Sequence, residues 1–314
     1  MTETRLLVVS AEEAGERLDK WLARRVSGLG RRRARVWCEA GRITVNGRVA
    51  AKNQCLPALA EVCLPVAPRR VAVADTSGVV GVAFENEFCV VANKPAGIPT
   101  APLDETDTTA FANALLARYP EMAGIGPSPL EPGLIHRLDT GTSGLLVAAR
   151  TSAAYDALRA GMSSQKIRKE YLAAVHAEGL DDHGLIHVPL GKSAHNARRV
   201  VAVSPGAQGA RDATTEYRML ERVGSIALVL VEVERALRHQ IRAHFASLGC
   251  PLVNDELYGA PRLDALNCGR HALHARRVAW DGTKAIPGFD VTAPLANDLR
   301  DWLRVFGFRA VVFW

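Results

Sequence analysis

No run of apolar residues in this chain is long enough to cross a bilayer as a helix, which takes about 20 residues. The longest runs, such as Ile226–Val231, are a fraction of that. The stretch MTETRLLVVSAEEAGER at the beginning has no basic start, no long apolar segment and no cleavage site, so it does not read as an export signal. Cysteine is sparse and unpatterned. The six residues (Cys38, Cys55, Cys63, Cys89, Cys250 and Cys268) never fall in CxxC spacing. That argues against a zinc site or a disulfide framework and for buried free thiols in a reducing compartment. Internal repeats and low-complexity tracts are missing too. What is left is a soluble globular chain of 314 residues, 48% hydrophobic and 23% charged, long enough for two domains and expected in the cytoplasm.

Charge is unevenly spread. Residues 1–70 hold 14 Lys/Arg against 7 Asp/Glu, whereas the whole chain carries +6, so the remainder is close to neutral. Such a basic segment fits either a solvated face or a polyanion partner. Ser10 and Glu13 form a capping-box signature that predicts a helix. Leu18, Trp21, Leu22 and Val26 then share one helical face, with Arg17, Lys20, Arg24 and Arg25 over much of the rest. After Gly28 and Gly30 a second helix begins with Arg31, Arg32, Arg33 and Arg35, placing Ala34, Trp37 and Ala40 inward and Gly41 at its end. RITVNGRV (Arg42–Val49) reads as a hairpin turned by Asn46-Gly47. Two short helices, the second very basic, running into such a hairpin resemble the RNA-binding domain named after ribosomal small-subunit protein four. That resemblance implies a grip on RNA phosphates through Arg31, Arg32, Arg33 and Arg35. The expected division is a basic domain over 1–68, a linker over 69–78 and a larger domain over 79–314.

In the larger part, strand signals outnumber helix signals and seldom alternate one-to-one with them. An α+β fold on a mostly antiparallel sheet is therefore expected. Strands are predicted at Phe88–Ala92, Lys169–Val175, Thr214–Glu221 and Ile226–Glu234, and helices at Thr108–Tyr119, His239–Leu248 and around Leu295–Phe306. The most informative stretch is LIHRLDTGTSGLLVAAR (Leu134–Arg150). A His136-Arg137-Leu138-Asp139 corner precedes a turn rich in Gly, Thr and Ser, and then an apolar run with the length of a buried strand. By local chemistry alone, Asp139 could do no more than close an Asx-type turn beside a solvated arginine.

Five stretches in one order decide between these readings: NKPAGIPTAP (Asn93–Pro102), HRLDTGTSGLLVAAR, KEYLAAV (Lys169–Val175), HQIRAHFASLGCPLVNDELYG (His239–Gly259) and RHALHARRV (Arg270–Val278). Together they closely resemble the RluA-type pseudouridine synthases, and with the basic N-terminal domain they resemble the subgroup acting on large-subunit ribosomal RNA. The resemblance implies an RNA-modifying isomerase that flips a uridine out of its stack. Asp139 is then the essential carboxylate, Arg242 its partner, and Tyr171 an active-site ring that stacks on uracil. Arg137 takes the place of the extruded base, with His136 packing beside it. No metal or cofactor is implied; His239 and His244, or His271 and His274, read as helical or core residues. RNA is the one partner implied, and a monomer is expected. One segment departs from the family pattern. Thr-Gly-Arg-Thr is usual before HQIR, and here Arg235-Ala236-Leu237-Arg238 stands there, so that either Arg235 or Arg238 takes over a phosphate contact or that edge of the site is altered. That departure keeps open an alternative, an RNA-binding or ribosome-assembly factor with weak or no catalysis.

Overall fold

A computed structural model describes residues 4–26, 29–65, 71–233, 236–261 and 269–310. The chain divides into two compact units, Met1–Val71 and Ala72–Trp314. Gly28, Arg235, Cys268, the side chain of Arg32 and residues 66–70, which span the end of the expected basic domain and the start of the expected linker, lie outside the described residues. From Ala72 onward the stretch read as a linker is tied into the second unit. Ala72 N–H donates to the Pro129 carbonyl, Asp75 N–H to that of Asn113, and Asn113 Nδ2 to that of Val73.

The first unit contains β1 (Thr4–Val8), α1 (Leu18–Arg25), α2 (Arg31–Glu39), β2 (Thr44–Val45), β3 (Arg48–Val49) and β4 (Glu61–Pro65). Its four strands pair in the order β1-β4-β2-β3. The Glu13 carboxylate does accept the Ser10 N–H at 3.0 Å, but the cap opens only a 3-10 turn, Ala11–Glu13, because Gly15 turns left-handed at φ 84°. The hairpin turns at Asn46 and Gly47, both at positive φ (49° and 74°), as a tight two-residue turn requires. Leu18, Trp21, Leu22, Ala34, Trp37 and Ile43 form the core, whereas Ala40 is exposed because α2 ends there. The thiols differ from the expectation of uniform burial: Cys38, Cys89 and Cys250 are buried, Cys63 is half-buried, and Cys55 is exposed.

The basic face carries an unexpected anchor. Asp19 is fully buried, and Arg17, Arg31 and Arg35 reach it at 3.1, 3.3 and 3.1 Å. Two of the four arginines assigned to RNA therefore also hold the helices together, with heads that stay about half exposed (50% and 45%). The guanidinium of Arg33 lies over the Trp37 ring at 5.1 Å, and that of Arg42 lies over the same ring at 5.4 Å.

The second unit contains β5 (Gly81–Glu85), β6 (Cys89–Lys94), α3 (Phe111–Arg118), β7 (Ser143–Ala149), α4 (Ser152–Ser163), β8 (Ile167–His176), β9 (His183–His187), β10 (Leu190–Lys192), β11 (Val200–Ala202), β12 (Thr214–Val223), β13 (Ile226–Val233), α5 (Gln240–Ser247), β14 (Leu273–Gly282), β15 (Pro287–Thr292) and α6 (Asn297–Phe306). Nine strands make one sheet, in the order β5-β6-β7-β14-β8-β13-β12-β9, with β15 on β14. Among the described pairings only β7 with β14 is parallel, so the fold is α+β on a mostly antiparallel sheet. Strand alternation sorts the core into two faces. Tyr171, Ala173 and Val175 pack with Leu138, Ile241 and Phe245 on one, while Leu172 and Ala174 pack under Leu299 and Trp302 of α6 on the other. β7 and β14 touch at a glycine. Gly144 sits at φ 111°, and a Cβ there would fall 2.1 Å from the Ala275 carbonyl oxygen.

The arginine bonds outweigh burial, which opposes ionisation, and hold the Asp19 carboxyl below the usual carboxylate range. A depressed folded-state value contributes stability above the unfolded value of about 4, lost as the pH falls below it. Asp19→Asn should therefore lower the protection of α1 and α2 amides by about 2 kcal/mol at neutral pH, with the difference from the parent shrinking in acid. Hydrogen exchange measures this, and equal protection at pH 7 would remove Asp19 from its anchoring role.

Candidate active site

The turn after Asp139 is closed by the main chain, with Thr142 N–H donating to the Asp139 carbonyl at 3.0 Å. The Asx-turn reading of this aspartate is thereby replaced. Its carboxylate faces across the cavity to α5, where Arg242 Nη1 donates to Oδ2 at 2.8 Å and His239 Nε2 lies 3.6 Å from Oδ1. Arg242 is almost fully buried and is gripped from behind. Its Nε and Nη2 donate to the two oxygens of Asp255 at 2.7 and 2.8 Å, a bidentate bond. Burial pulls the pKa of Arg242 down, but the Asp255 and Asp139 carboxylates outweigh it, and the net shift is upward.

The loop carrying Asp139 is braced at nearly every step. Thr100 Oγ1 donates to the Leu138 carbonyl at 2.6 Å and accepts the Leu138 N–H at 3.1 Å. Lys94, fully buried, donates from Nζ to the carbonyls of Pro95, Ile98 and Thr140 at 2.7, 2.8 and 3.4 Å. Burial and the charge of Arg270, opposed by Asp139, push the Lys94 ammonium down to about 7. Arg270 Nη1 donates to the Gly141 carbonyl at 3.0 Å, and Thr142 Oγ1 meets His271 Nε2 at 2.8 Å. These contacts fix a polar loop that local sequence would leave free to move.

Tyr171 stands on β8 opposite Val231 of β13 and Ala275 of β14. It is 4% exposed and lines one cavity of ≈ 980 Å³ together with Asp139 and Arg242. Burial, and then the nearby Asp139 charge, raise its pKa, so the hydroxyl stays protonated. Arg137 lines the same cavity with its head 60% exposed and paired to Glu131 at 2.9 Å. His136 is partly turned into the protein. Its Nε2 accepts the Val147 N–H at 3.2 Å, its Nδ1 is buried without a partner, and burial pushes its pKa down to about 3. A neutral ring spent on a main-chain bond packs the corner and does not offer RNA a charge. Arg31, Arg33 and Arg35 belong to the other unit.

The sequence between 87 and 247 matches the family model described as RNA pseudouridylate synthase, and 16–54 matches that of the S4 domain. A protein of Chloroflexus aurantiacus named as an RNA pseudouridine synthase is 35% identical over 98% of this chain and 95% of its own. The chain belongs to the RNA pseudouridylate synthase family. A Neisseria meningitidis serogroup B protein, ribosomal large subunit pseudouridine synthase D, is 29% identical over 98% of this chain and 84% of its own. The solved structure of human RNA pseudouridylate synthase domain containing 1 shares the fold. Its TM-score is 0.57 at 22% identity, covering 71% of this chain and 87% of that one. The enzyme is thus a pseudouridine synthase, an isomerase, carrying an N-terminal RNA-binding domain of the S4 type.

Among the residues that build this candidate site, sequence reasoning missed Asp255, Lys94, His271 and Tyr258. Asp255 stands thirteen positions after Arg242 and beyond the end of α5, so no helical or strand spacing links them. Their meeting depends on the reversal through Gly249–Asn254, where Asn254 is left-handed at φ 59°. Among the described residues no cluster of His, Cys, Asp and Glu is arranged to hold a metal ion.

Asp255→Asn should leave the fold intact and lower kcat roughly 10- to 100-fold, because Arg242 loses its charge partner and the pair with Asp139 shifts. Tritium release from RNA labelled at uridine carbon five measures this, and a parental kcat would contradict it.

Proposed function

We propose that this synthase isomerises specific uridines of large-subunit ribosomal RNA in the cytoplasm, with Asp139 as its essential group. The observation that carries the reading is the Asp139–Arg242 pair, at 2.8 Å, beside the buried Tyr171 ring in a cavity of ≈ 980 Å³. That volume is at the upper end for small-molecule pockets and suits an extruded nucleotide with part of its backbone. The relative named ribosomal large subunit pseudouridine synthase D, aligned over 98% of this chain, supports the RNA class, as does the basic N-terminal unit.

The reaction breaks the bond between ribose carbon one and uracil nitrogen one, rotates the base, and joins carbon five to the same sugar carbon. The proton displaced from carbon five is balanced by one gained at nitrogen one. Nothing is oxidised, so the chemistry needs no cofactor. Asp139 can stabilise the electron-poor sugar or take a proton from it, while Arg242 holds the carboxylate in place. Tyr171 offers a ring face to the uracil and a hydroxyl that stays protonated. Extruding the base costs a few kcal/mol, and the Arg137 guanidinium is suited to filling the gap. Its exposed pair with Glu131 is worth at most about 1 kcal/mol, too little to hold it back.

Asp139→Asn should lower pseudouridine formation by at least about 10³-fold without loss of RNA binding. Comparable rates in variant and parent would end the assignment. Carbodiimide mapping of ribosomal RNA from a strain lacking the enzyme should show one or more modified uridines missing from the large subunit. An unchanged large-subunit map would refute that substrate.

A further inference from the structure

The arginines lining the Asp139 cavity differ in how their charge is met. Arg242 is matched by Asp255 and Asp139, and Arg137 by Glu131. Arg159 donates to the Ile135 carbonyl at 2.8 Å. Arg198 and Arg238 are exposed on the same cavity wall, and among the described residues neither meets a carboxylate. They are adjacent although forty positions apart, since Arg238 Nη2 donates to the Arg198 carbonyl at 2.8 Å. The Arg238 guanidinium is thereby held against the Arg198 main chain, which brings two arginines without a carboxylate partner to one stretch of the cavity wall and makes that stretch attractive to an anion. Planar donor forks match phosphate oxygens well.

The departure from the family pattern falls at this same edge. Leu237, where an arginine is usual, is half-buried against Leu190, Ala213, Ala243 and Tyr258. The position has become an apolar anchor for the β10–β11 arm, and the exposed charge comes instead from its neighbour Arg238 and from Arg198 on the arm's turn. Tyr258 joins the arm to the catalytic arginine. Its hydroxyl accepts the Val200 N–H at 3.2 Å, donates to the Val200 carbonyl at 3.0 Å, and meets His239 Nδ1 at 3.1 Å. The guanidiniums of Arg199 and Arg242 each lie over its ring, 5.1 Å from the ring centre.

We infer that Arg198 and Arg238 form a phosphate seat on the rim of the Asp139 cavity, filled by the RNA backbone beside the extruded nucleotide, with Tyr258 positioning that seat relative to Arg242 and Asp139. The inference rests on the RNA-modifying reading proposed above. The test uses the full-length enzyme with transcribed large-subunit ribosomal RNA, measuring kcat, KM and their dependence on salt. Arg198→Gln with Arg238→Gln should raise KM about tenfold, leave kcat within about twofold, and reduce the slope of log(kcat/KM) against log salt by about 1–2. The double lysine variant should restore the slope, because it keeps the charge. Tyr258→Phe keeps the ring but loses the hydroxyl bonds, so it should lower kcat about fivefold with the salt slope retained. A glutamine variant with parental KM and salt slope overturns the seat, and a Tyr258→Phe enzyme with parental kcat overturns the positioning role. A parent that forms no pseudouridine in any RNA overturns the proposed function instead, so the two failures are distinguishable.

Discussion

A buried guanidinium is tolerable only when its donors are matched, because an uncompensated charge in a low-dielectric interior costs several kcal/mol. Arg242 meets that condition with two carboxylates at once, Asp255 behind it in a bidentate bond and Asp139 in front. The guanidinium also lies over the Tyr258 ring, 5.1 Å from its centre. Asp255 sets the orientation of the guanidinium, the guanidinium sets Asp139, and Asp139 faces the cavity where the nucleotide is proposed to sit. The arrangement prepays the ordering of the carboxylate, which substrate binding would otherwise have to supply.

The sheet makes this pairing reproducible. Asp139 precedes β7, Tyr171 lies on β8, Arg242 sits in the first turn of the helix after β13, and His271 leads into β14. These four strands are neighbours in the order β7-β14-β8-β13 although they are scattered along the chain. The close approach of β7 to β14 needs Gly144, since any side chain there would collide with the Ala275 backbone. Buried Lys94 and Thr100 then fasten the Asp139 loop to the segment after β6 through main-chain carbonyls. Three side chains on three elements therefore face one space through backbone geometry and not through any local motif.

How much of this could be read from the sequence depended on the range of the interaction. Asn46-Gly47 announced its hairpin because the turn needs left-handed residues and little else. The antiparallel character of the sheet followed from strand signals that lacked intervening helices. Asp139, Tyr171 and Arg242 were reachable only through the ordered family motifs, since each taken alone has an ordinary structural explanation. Long-range partners stayed hidden. Asp255 meets Arg242 after a chain reversal, and nothing local in the NKPAGIPTAP stretch marked Lys94 as buried against three carbonyls. In the basic helices, Arg31 and Arg35 looked like free cations because the fully buried Asp19 lies a helix away. The capping box at Ser10 formed as its pattern required, yet Gly15 stopped it from growing into the expected helix.

The central claim is that Asp139, Arg242 and Tyr171 act on one nucleotide taken out of the RNA. A crystal structure of the enzyme with an RNA carrying 5-fluorouridine at the mapped position tests it most directly, because fluorine replaces the carbon-five proton and cannot leave as that proton does. The account predicts the modified base inside the cavity of ≈ 980 Å³, against the Tyr171 ring, with its sugar carbon one beside Asp139. A base still stacked in the RNA, or bound away from Asp139, would contradict it.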